Sequence, residues 1–494
     1  MKVVEVINSL VVLTSCLVLL ISNHNHHFNI VLVQVLYIVF YNIFVDENYD
    51  IGYIICILPL FLVSTVTKYE ISIEIVIICS IILFICKFGF YRSEKIKYDY
   101  MNFIFGISIL FIQIQDKLMD VNFHWFVTFL FANTILGYSK ALEYCSSFEI
   151  SAFLTAFNMI IYDLVCNFCP TNENTSSFKV VEIGILSFVT LFIITSKVNQ
   201  NNIEIYVSIL VFISVLTYVY ISHILDCDLM LWIIKQLINN QFQSVWICTY
   251  WIFCIVLSVI ISVLSLSMKI KQICIRKIFH IAVVIMFTPV LLIKGPSEPF
   301  LTLALGVALC GFLAIEYCRI YLKSLFPVVT ANISYYYEML IDSRDKNNKF
   351  IVSHIYLLLS VAFPIWISHA IYLFNPNIFN GSTILILFPY IGIVTVGTGD
   401  AFGAIIGSSF GSVLLCKETK RTIEGSCAVF ISILSFLVLL IFVLNKSLLT
   451  WFILGKMIVL TLITTTVEAF TQDNDNIMLP LIGSTVLLIE HIIF

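Results

Sequence analysis

Apolar runs of about twenty residues recur along this whole chain, and they limit its fold more than any other feature. A run of that length is what an α-helix needs to cross the hydrocarbon core of a bilayer. Of the 494 residues, 60% are hydrophobic and 11% are charged, whereas soluble domains carry about a quarter charged residues. The sequence therefore predicts an all-α, polytopic transmembrane helical bundle with about 15 to 17 spans and short loops.

Polar residues are distributed unevenly between the two halves of the chain. Residues 1–268 carry charges mainly between the apolar runs, which indicates an N-terminal multi-span scaffold. Residues 269–494 carry charged and small polar groups within spans and in compact loops, so we expect the catalytic region there. The formal net charge of -4 and the lack of a large basic cluster argue against a nucleic-acid partner.

The lysines and arginines of the second half predict its orientation. They concentrate in three loops, within 269–277, 323–349 and 417–421, and an even number of predicted spans separates each loop from the next. Cations are enriched on the cytoplasmic side of membrane proteins. The same counting places the acidic loop 471–476 on that side. We therefore expect four polar loops to meet at the cytoplasmic face.

Asp400 lies inside an apolar run, in the stretch "VGTGDAFGAIIGSSFG". A carboxylate at membrane depth costs on the order of 3 kcal/mol on insertion scales, so such a residue is usually functional or paired. The glycines that follow at every fourth position, Gly403, Gly407 and Gly411, would form a bare helix face. Such a face permits close helix packing or close approach of a nucleotide to the backbone, and both interpretations remain open.

The next loop, "KETKRTIEG", combines cations with hydroxyl groups. Cations and hydrogen-bond donors are what a triphosphate requires, together with a divalent metal. A membrane anchor is the alternative, although an anchor needs neither threonines nor an acid. Its cations are Lys417, Lys420 and Arg421, its hydroxyl residues are Thr419 and Thr422, and the acid Glu424 lies near its end.

Three further polar groups fall on the same predicted face. The "DSRD" loop contains Arg344, and "QDNDN" contains Asp475 and Asn476, whose oxygens are the hard ligands that Mg²⁺ prefers. Each of these is a solvated turn in the simpler interpretation. "IRKIFH" begins a span with Arg276, Lys277 and His280, which indicates either an interfacial anchor or a phosphate clamp.

Five motifs in order resemble those of the dolichol kinase family, a branch of the polyprenol kinases. They are "RKIFH", "DSRD…SHIYLLLSVAFPIW", "VGTGDAFGAIIGSSFG", "KRTIEG" and "EAFTQDNDNIMLPL". The resemblance covers roughly residues 270–494. It implies CTP-dependent phosphorylation of the terminal hydroxyl of dolichol to dolichyl phosphate, which supplies the lipid carrier for protein glycosylation. It also implies a multi-pass protein of the endoplasmic-reticulum membrane with its active site facing the cytoplasm.

The resemblance and the residue chemistry together give a predicted site. The expected catalytic residues are Asp400, Asp475 and His280. The expected ligands of Mg²⁺, or of another divalent cation, are Asp400, Asp475 and Asn476. The expected phosphate contacts are Arg276, Lys277 and Arg344. The expected CTP-binding residues are Ser409, Gly411, Lys417, Thr419, Lys420, Arg421, Thr422 and Glu424.

Three other functions share part of this pattern. A CTP-dependent phosphatidate cytidylyltransferase has a similar order of Gly-Asp and Lys-Thr-x-Glu-Gly motifs, and a phytol-type kinase differs in its acceptor alcohol. A transporter is the non-enzyme alternative, but it would distribute its acids around a midplane cavity and show inverted repeats. The expected partners are the polyprenol lipid, CTP and the membrane.

Overall fold

The computed structural model describes most of the chain from Glu173 onward, and the spans predicted before that residue lie outside it. The described residues all belong to one compact unit. They are 173–196, 203–238, 243–268, 270–295, 299–340, 351, 353–374, 384–416, 419–471 and 474–493.

This part of the chain is helical. Within the described ranges no strand occurs, and one isolated antiparallel bridge joins Leu414 to Thr422. The α-helices are α1 Glu173–Ser196, α2 Ile203–Ile224, α3 Leu229–Ile238, α4 Gln243–Ser267, α5 Gln272–Lys294, α6 Pro299–Tyr321, α7 Pro327–Leu340, α8 Ser353–Phe374, α9 Ala401–Phe410, α10 Ile423–Asn445, α11 Trp451–Phe470 and α12 Asp475–Ile493. Between α8 and α9 lie a 3₁₀-helix, Ile384–Tyr390, and a π-helix, Ile393–Asp400.

Seven segments in the described part of the chain are long and apolar enough to cross a membrane. Helices α8 and α12 add shorter apolar stretches, Ser353–His369 and Asp475–Leu488. These findings confirm the predicted polytopic helical membrane protein. The seven segments are α2, α4, α5, α6, Ile393–Phe410, α10 with the short turn that follows it, and α11.

The π-helix lies at the centre of this bundle, and all eight of its residues are buried. It packs among α5, α8, α10 and α12. Just before it, Gly392 approaches α8 so closely that a Cβ atom there would lie 1.8 Å from the carbonyl oxygen of Ser360. π-Helices are rare and occur frequently at functional sites. This one ends at Asp400, so the wide turn leads directly to the predicted catalytic acid.

The short connections make successive spans antiparallel, so alternate helix ends meet. Helices α5, α10 and α12 begin at one end of the bundle, where α9 and α11 end. We call this the site end. Side-chain bonds join its loops: Thr419 Oγ1 donates to the carbonyl oxygen of Ala469 at 2.8 Å, and Lys271 Nζ donates to that of Ser408. Two polar loops and the start of α5 therefore meet there, as the cation pattern predicts.

Helix α1 packs against α6 and α2. Gly306 of α6 permits this contact, since a Cβ atom there would lie 2.3 Å from Val181 of α1. The predicted division into residues 1–268 and 269–494 stays a prediction.

Candidate active site

Asp400 is fully buried and forms an ion pair with Lys277. Its Oδ2 atom lies 2.5 Å from Lys277 Nζ, and the two residues are 0% and 5% exposed. Lys277 belongs to the first turns of α5, whereas Asp400 ends the π-helix 123 residues later. A buried carboxylate needs such a partner because the loss of its hydration is costly. The tertiary fold thus supplies the charge that lets Asp400 exist at this depth.

His280 connects this pair to the last helix. It follows Lys277 by three residues, so the two side chains share one face of α5. Its Nε2 atom lies 3.3 Å from Asp400 Oδ2 and 3.3 Å from Asn476 Oδ1. Those two oxygens are acceptors, and Lys277 Nζ, a donor, lies 3.3 Å from the same Nε2 atom. The imidazole therefore ties α5, the π-helix and α12 together at one point.

One oxygen of Asp400 remains available. Oδ1 is buried and has no hydrogen-bond partner among the described residues, whereas Oδ2 contacts both Lys277 and His280. A buried acceptor without a partner costs free energy and usually has a functional explanation. The arrangement holds Asp400 as an oriented acceptor whose second oxygen is not bonded by any described residue.

Arg421 forms a second ionic cluster beside the first. Its Nε atom lies 3.1 Å from Glu468 Oε1, and its Nη2 atom lies 2.9 Å from Asp475 Oδ2. Burial lowers the pKa of the Arg421 guanidinium, but the carboxylates of Glu468, Asp475 and Asp400 outweigh it and raise the pKa above its ordinary value. The guanidinium therefore stays a fixed cation among three acids.

A small hairpin presents Arg421 to these acids. The amide of Leu415 donates to the Arg421 carbonyl oxygen at 2.8 Å, and the amide of Ile423 donates to that of Val413 at 2.9 Å. At its turn, Lys420 has a φ of 56°, a left-handed conformation that is uncommon for a residue with a side chain. Strained positions of this kind cluster at functional sites. Lys420 itself is exposed.

Glu424 and Thr422 stabilise the hairpin and the start of α10. Glu424 accepts hydrogen bonds from the amides of Ser412 and Val413, at 3.0 and 3.3 Å, and from the Ser412 hydroxyl. Thr422 caps α10 by accepting from the Gly425 amide at 3.2 Å. In this structure both side chains organise the loop that carries Lys420 and Arg421.

The glycines serve packing and also leave space. A Cβ atom on Gly403 would lie 2.4 Å from Val429, and one on Gly411 would lie 2.6 Å from Oγ1 of Thr422, the residue that caps α10. Close packing of α9 on α10 therefore requires glycine at these positions. Nearer the site end, Gly403 and Gly407 also line a cavity of about 140 Å³ together with Arg421. The two interpretations of the glycine pattern are compatible.

The structure brings most of the predicted residues to one end of the bundle. Ser409 is exposed at the end of α9, and Arg276 is half-buried on α5, directly before Lys277. Lys417 and Arg344 lie outside the described residues. The residues that meet through direct contacts are Lys277, His280, Asp400, Arg421, Asp475 and Asn476. Their catalytic, CTP-binding and metal-binding roles stay predictions.

Sequence reasoning missed Glu468. This acid is 2% exposed and is bound to Arg421. It lies within the quoted motif "EAFTQDNDNIMLPL", but no role was assigned to it. An acid in the last turn of an apolar span, directly before a polar loop, is the signal that could have identified it.

The fold and these clusters define a class: a polytopic helical membrane protein with a charged, buried site at its helix ends. The chain is 30% identical over 288 residues to a dolichol kinase of Arabidopsis thaliana, covering 56% of this chain and 47% of that protein. It is 35% identical over 214 residues to human dolichol kinase, covering 42% and 36%. These matches confirm the resemblance to the dolichol kinase family.

The relatives include a fungal protein as well. Saccharomyces cerevisiae dolichol kinase is 27% identical over 256 residues, covering 51% of this chain and 43% of its own length. The chain spans less than half the length of each of these three relatives. No family model matches the chain. No solved structure matches it either.

Proposed function

We propose that this protein transfers the γ-phosphoryl group of CTP to the terminal hydroxyl of dolichol, forming dolichyl phosphate and CDP. The observation that carries the proposal is the convergence of Asp400, Arg421 and Asp475 at one end of a membrane-spanning bundle. A lipid alcohol reaches such a site from the bilayer and a nucleotide reaches it from water. Relatives that are named dolichol kinases support the acceptor.

Phosphoryl transfer depends on positioning and charge neutralisation more than on covalent help from the protein. Lys420 is exposed at the hairpin turn and can reach phosphate oxygens in the water phase. Arg421 is held by two carboxylates, so a phosphate that binds there meets a cation already fixed in position. Fixed charges stabilise a transition state better than mobile ones because no reorganisation is needed.

A divalent cation such as Mg²⁺ fits this site. Within the described residues no group of three or more His, Cys, Asp or Glu side chains could hold a metal by itself. Mg²⁺ usually takes only one or two carboxylates and completes its shell with substrate phosphates and water. The unpartnered Oδ1 of Asp400 suits it, and Asp475 and Asn476 would complete the protein ligands. The ion would neutralise charge on the phosphate oxygens.

Lys277 and His280 orient Asp400 rather than standing free for phosphate. These contacts occupy Oδ2 and leave Oδ1 as the oxygen that a ligand could use. We further propose that the protein acts in the endoplasmic-reticulum membrane with its site end toward the cytoplasm, as the positions of its cations indicate. Its product would supply the lipid carrier for protein glycosylation.

The test is a labelled-nucleotide assay on membranes that contain the protein. With CTP labelled on the γ-phosphate, we expect labelled dolichyl phosphate, and with α-labelled CTP we expect no lipid label. α-Label on phosphatidate would show a cytidylyltransferase instead. A faster reaction with phytol than with dolichol would overturn the proposed acceptor. Membranes with Asp400→Asn protein at equal abundance serve as the matched control.

A further inference from the structure

The cavity at the site end is bounded by the four helices α5, α9, α10 and α11 and by the hairpin. It lies between Ile273 of α5, the glycine face of α9 and the first turn of α10. Its volume of about 140 Å³ is well below the roughly 300–1,000 Å³ of pockets that enclose a drug-sized ligand. It is therefore too small for a nucleoside triphosphate but large enough for the end of a lipid chain.

The lining of this cavity combines apolar and polar groups. The apolar part comes from Ile273, Gly403, Ala404 and Gly407, residues of helices that span the membrane. Ile273 is 38% exposed, so this wall continues onto the outer surface of α5, a helix long and apolar enough to span the membrane. An isoprenoid chain can reach such a wall from the bilayer without crossing water, because both surfaces are hydrocarbon.

Glu468 distinguishes this cavity from the rest of the site. Asp400 and Asp475 do not line it, whereas Glu468 does. Glu468 is 2% exposed, and only its Oε1 atom is bound to Arg421 Nε in the described contacts, at 3.1 Å. A group in the cavity thus meets one carboxylate, which Arg421 holds in a fixed orientation.

A second polar atom points to a ligand. Ser426 is 9% exposed and lines the same cavity, and its hydroxyl oxygen is buried without a hydrogen-bond partner. In water this hydroxyl would form a hydrogen bond, so its burial without one needs an explanation, such as a ligand that bonds to it. An alcohol oxygen placed between Ser426 and Glu468 would satisfy both groups.

We propose that this cavity receives the hydroxyl end of the acceptor alcohol, that Ser426 hydrogen-bonds its oxygen and that Glu468 accepts its proton. This inference rests on the proposed function and deepens it by naming the acceptor subsite and the base. The alcohol O–H bond breaks, and its proton passes to a Glu468 oxygen. A bond forms between the alcohol oxygen and the γ-phosphorus. The bond from that phosphorus to the β-bridging oxygen breaks, and CDP leaves with the electron pair.

Glu468→Gln tests the base. Glutamine keeps the shape and still accepts a hydrogen bond from Arg421 Nε, but it cannot take a proton from the alcohol. We expect kcat to fall by about 10²–10⁴-fold, the usual contribution of general base catalysis, with little change in the KM for CTP. The acidic limb of the kcat/KM profile against pH should disappear. A merely structural Glu468 would give near wild-type kcat and the wild-type profile.

Glu490→Gln is the matched control. Glu490 is another buried acid, 6% exposed, but it lies fifteen residues after Asp475 on α12, about 22 Å along the helix. Its rate constants should equal those of the wild type. CTP should still protect the Glu468→Gln protein against thermal unfolding, since the nucleotide loop is unchanged.

Ser426→Ala tests the subsite separately and keeps the proposal falsifiable if Glu468→Gln protein does not fold. We expect a roughly tenfold higher KM for the alcohol, as the loss of one hydrogen bond predicts, and an unchanged KM for CTP. A higher KM for CTP instead would assign the cavity to phosphate and overturn the inference. Wild-type protein that phosphorylates no lipid alcohol would overturn the proposed function itself. Active wild-type protein with fully active Glu468→Gln overturns only the base.

Discussion

Two fully buried carboxylates of this bundle, Glu316 and Asp400, are each paired with a cation in a different way. Glu316 bonds Arg319, three residues later on α6, through Oε1 at 3.0 Å and Oε2 at 2.7 Å. Its Oε2 also accepts from the Ile351 amide at 3.2 Å. Asp400 binds Lys277 and His280 through Oδ2 alone, and its Oδ1 has no partner.

The difference separates a structural pair from a reactive one. Both oxygens of Glu316 are used, so the pair on α6 fastens the start of the segment after residue 350 and offers nothing to a ligand. Asp400 is equally buried, but one of its oxygens has no hydrogen bond among the described residues. Such a group lowers stability and usually has a functional explanation, such as a ligand that binds it. Burial alone therefore does not identify a functional acid. Asp400 combines a free oxygen with contacts to the site residues His280 and Lys277.

The largest expected effect comes from Asp400→Asn. Loss of this carboxylate should reduce phosphorylation of dolichol by at least about 10³-fold, as the loss of a principal electrostatic group does. The measurement is transfer of γ-label at saturating CTP, normalised to the protein inserted in the membrane. Activity within tenfold of the wild type would contradict the catalytic role.

The single variant also leaves Lys277 as a buried cation without its partner, which by itself costs about 3–5 kcal/mol. The double variant Lys277→Met with Asp400→Asn removes both charges and should regain most of that stability. Its thermal midpoint should lie above that of Asp400→Asn, while its activity stays absent. Recovery of activity in the double variant would mean that Asp400 serves stability alone.

An intermediate effect is expected for Lys420→Gln. This exposed cation is proposed to hold a phosphate, so the KM for CTP should rise roughly tenfold while kcat changes little. Lys420→Arg keeps the positive charge, and arginine has about the same conformational cost as lysine at a φ of 56°. We therefore expect this variant to have the wild-type KM for CTP. Equal KM values in all three proteins would return the loop to the membrane-anchor interpretation.

The smallest effect on activity is expected for Glu316→Gln. This change weakens two charged contacts of Arg319, so the free energy of unfolding should fall by about 2–4 kcal/mol. The turnover per folded molecule should stay at the wild-type value, since Glu316 has no open acceptor. The checks are thermal unfolding in detergent and the labelled assay. A loss of kcat would show that the two regions are coupled.

The sequence identified several residues of the candidate site because charged groups in apolar surroundings are conspicuous. Asp400, Arg421 and Asp475 were all identified from their positions in or beside apolar runs, and the structure brings them together. Their partners were harder to assign. Lys277 was expected to contact phosphate, whereas in the structure it neutralises Asp400 from 123 residues away. Spacing along the chain carries no information about such a pairing.

The role of Glu468 could not be read from its position in the sequence either. It resembles any acid at the end of a span, and only the packing of the hairpin against α11 brings Arg421 to within 3.1 Å of it. The π-helix before Asp400 was also not predicted from the sequence. Its wide turn depends on contacts with α5, α8, α10 and α12 rather than on local propensity.

The sequence by itself determined that the chain lies in a bilayer, that it is helical, and which polar residues of the second half stand out. These properties follow from the hydropathy of each residue and from the free-energy cost of burying it, and neither depends on distant parts of the chain. The tertiary structure decided which carboxylates are fully used, which keep an open oxygen and which one faces the cavity. Those properties depend on distances between atoms from different helices. Such distances are set by packing at the site end, and no single segment contains them.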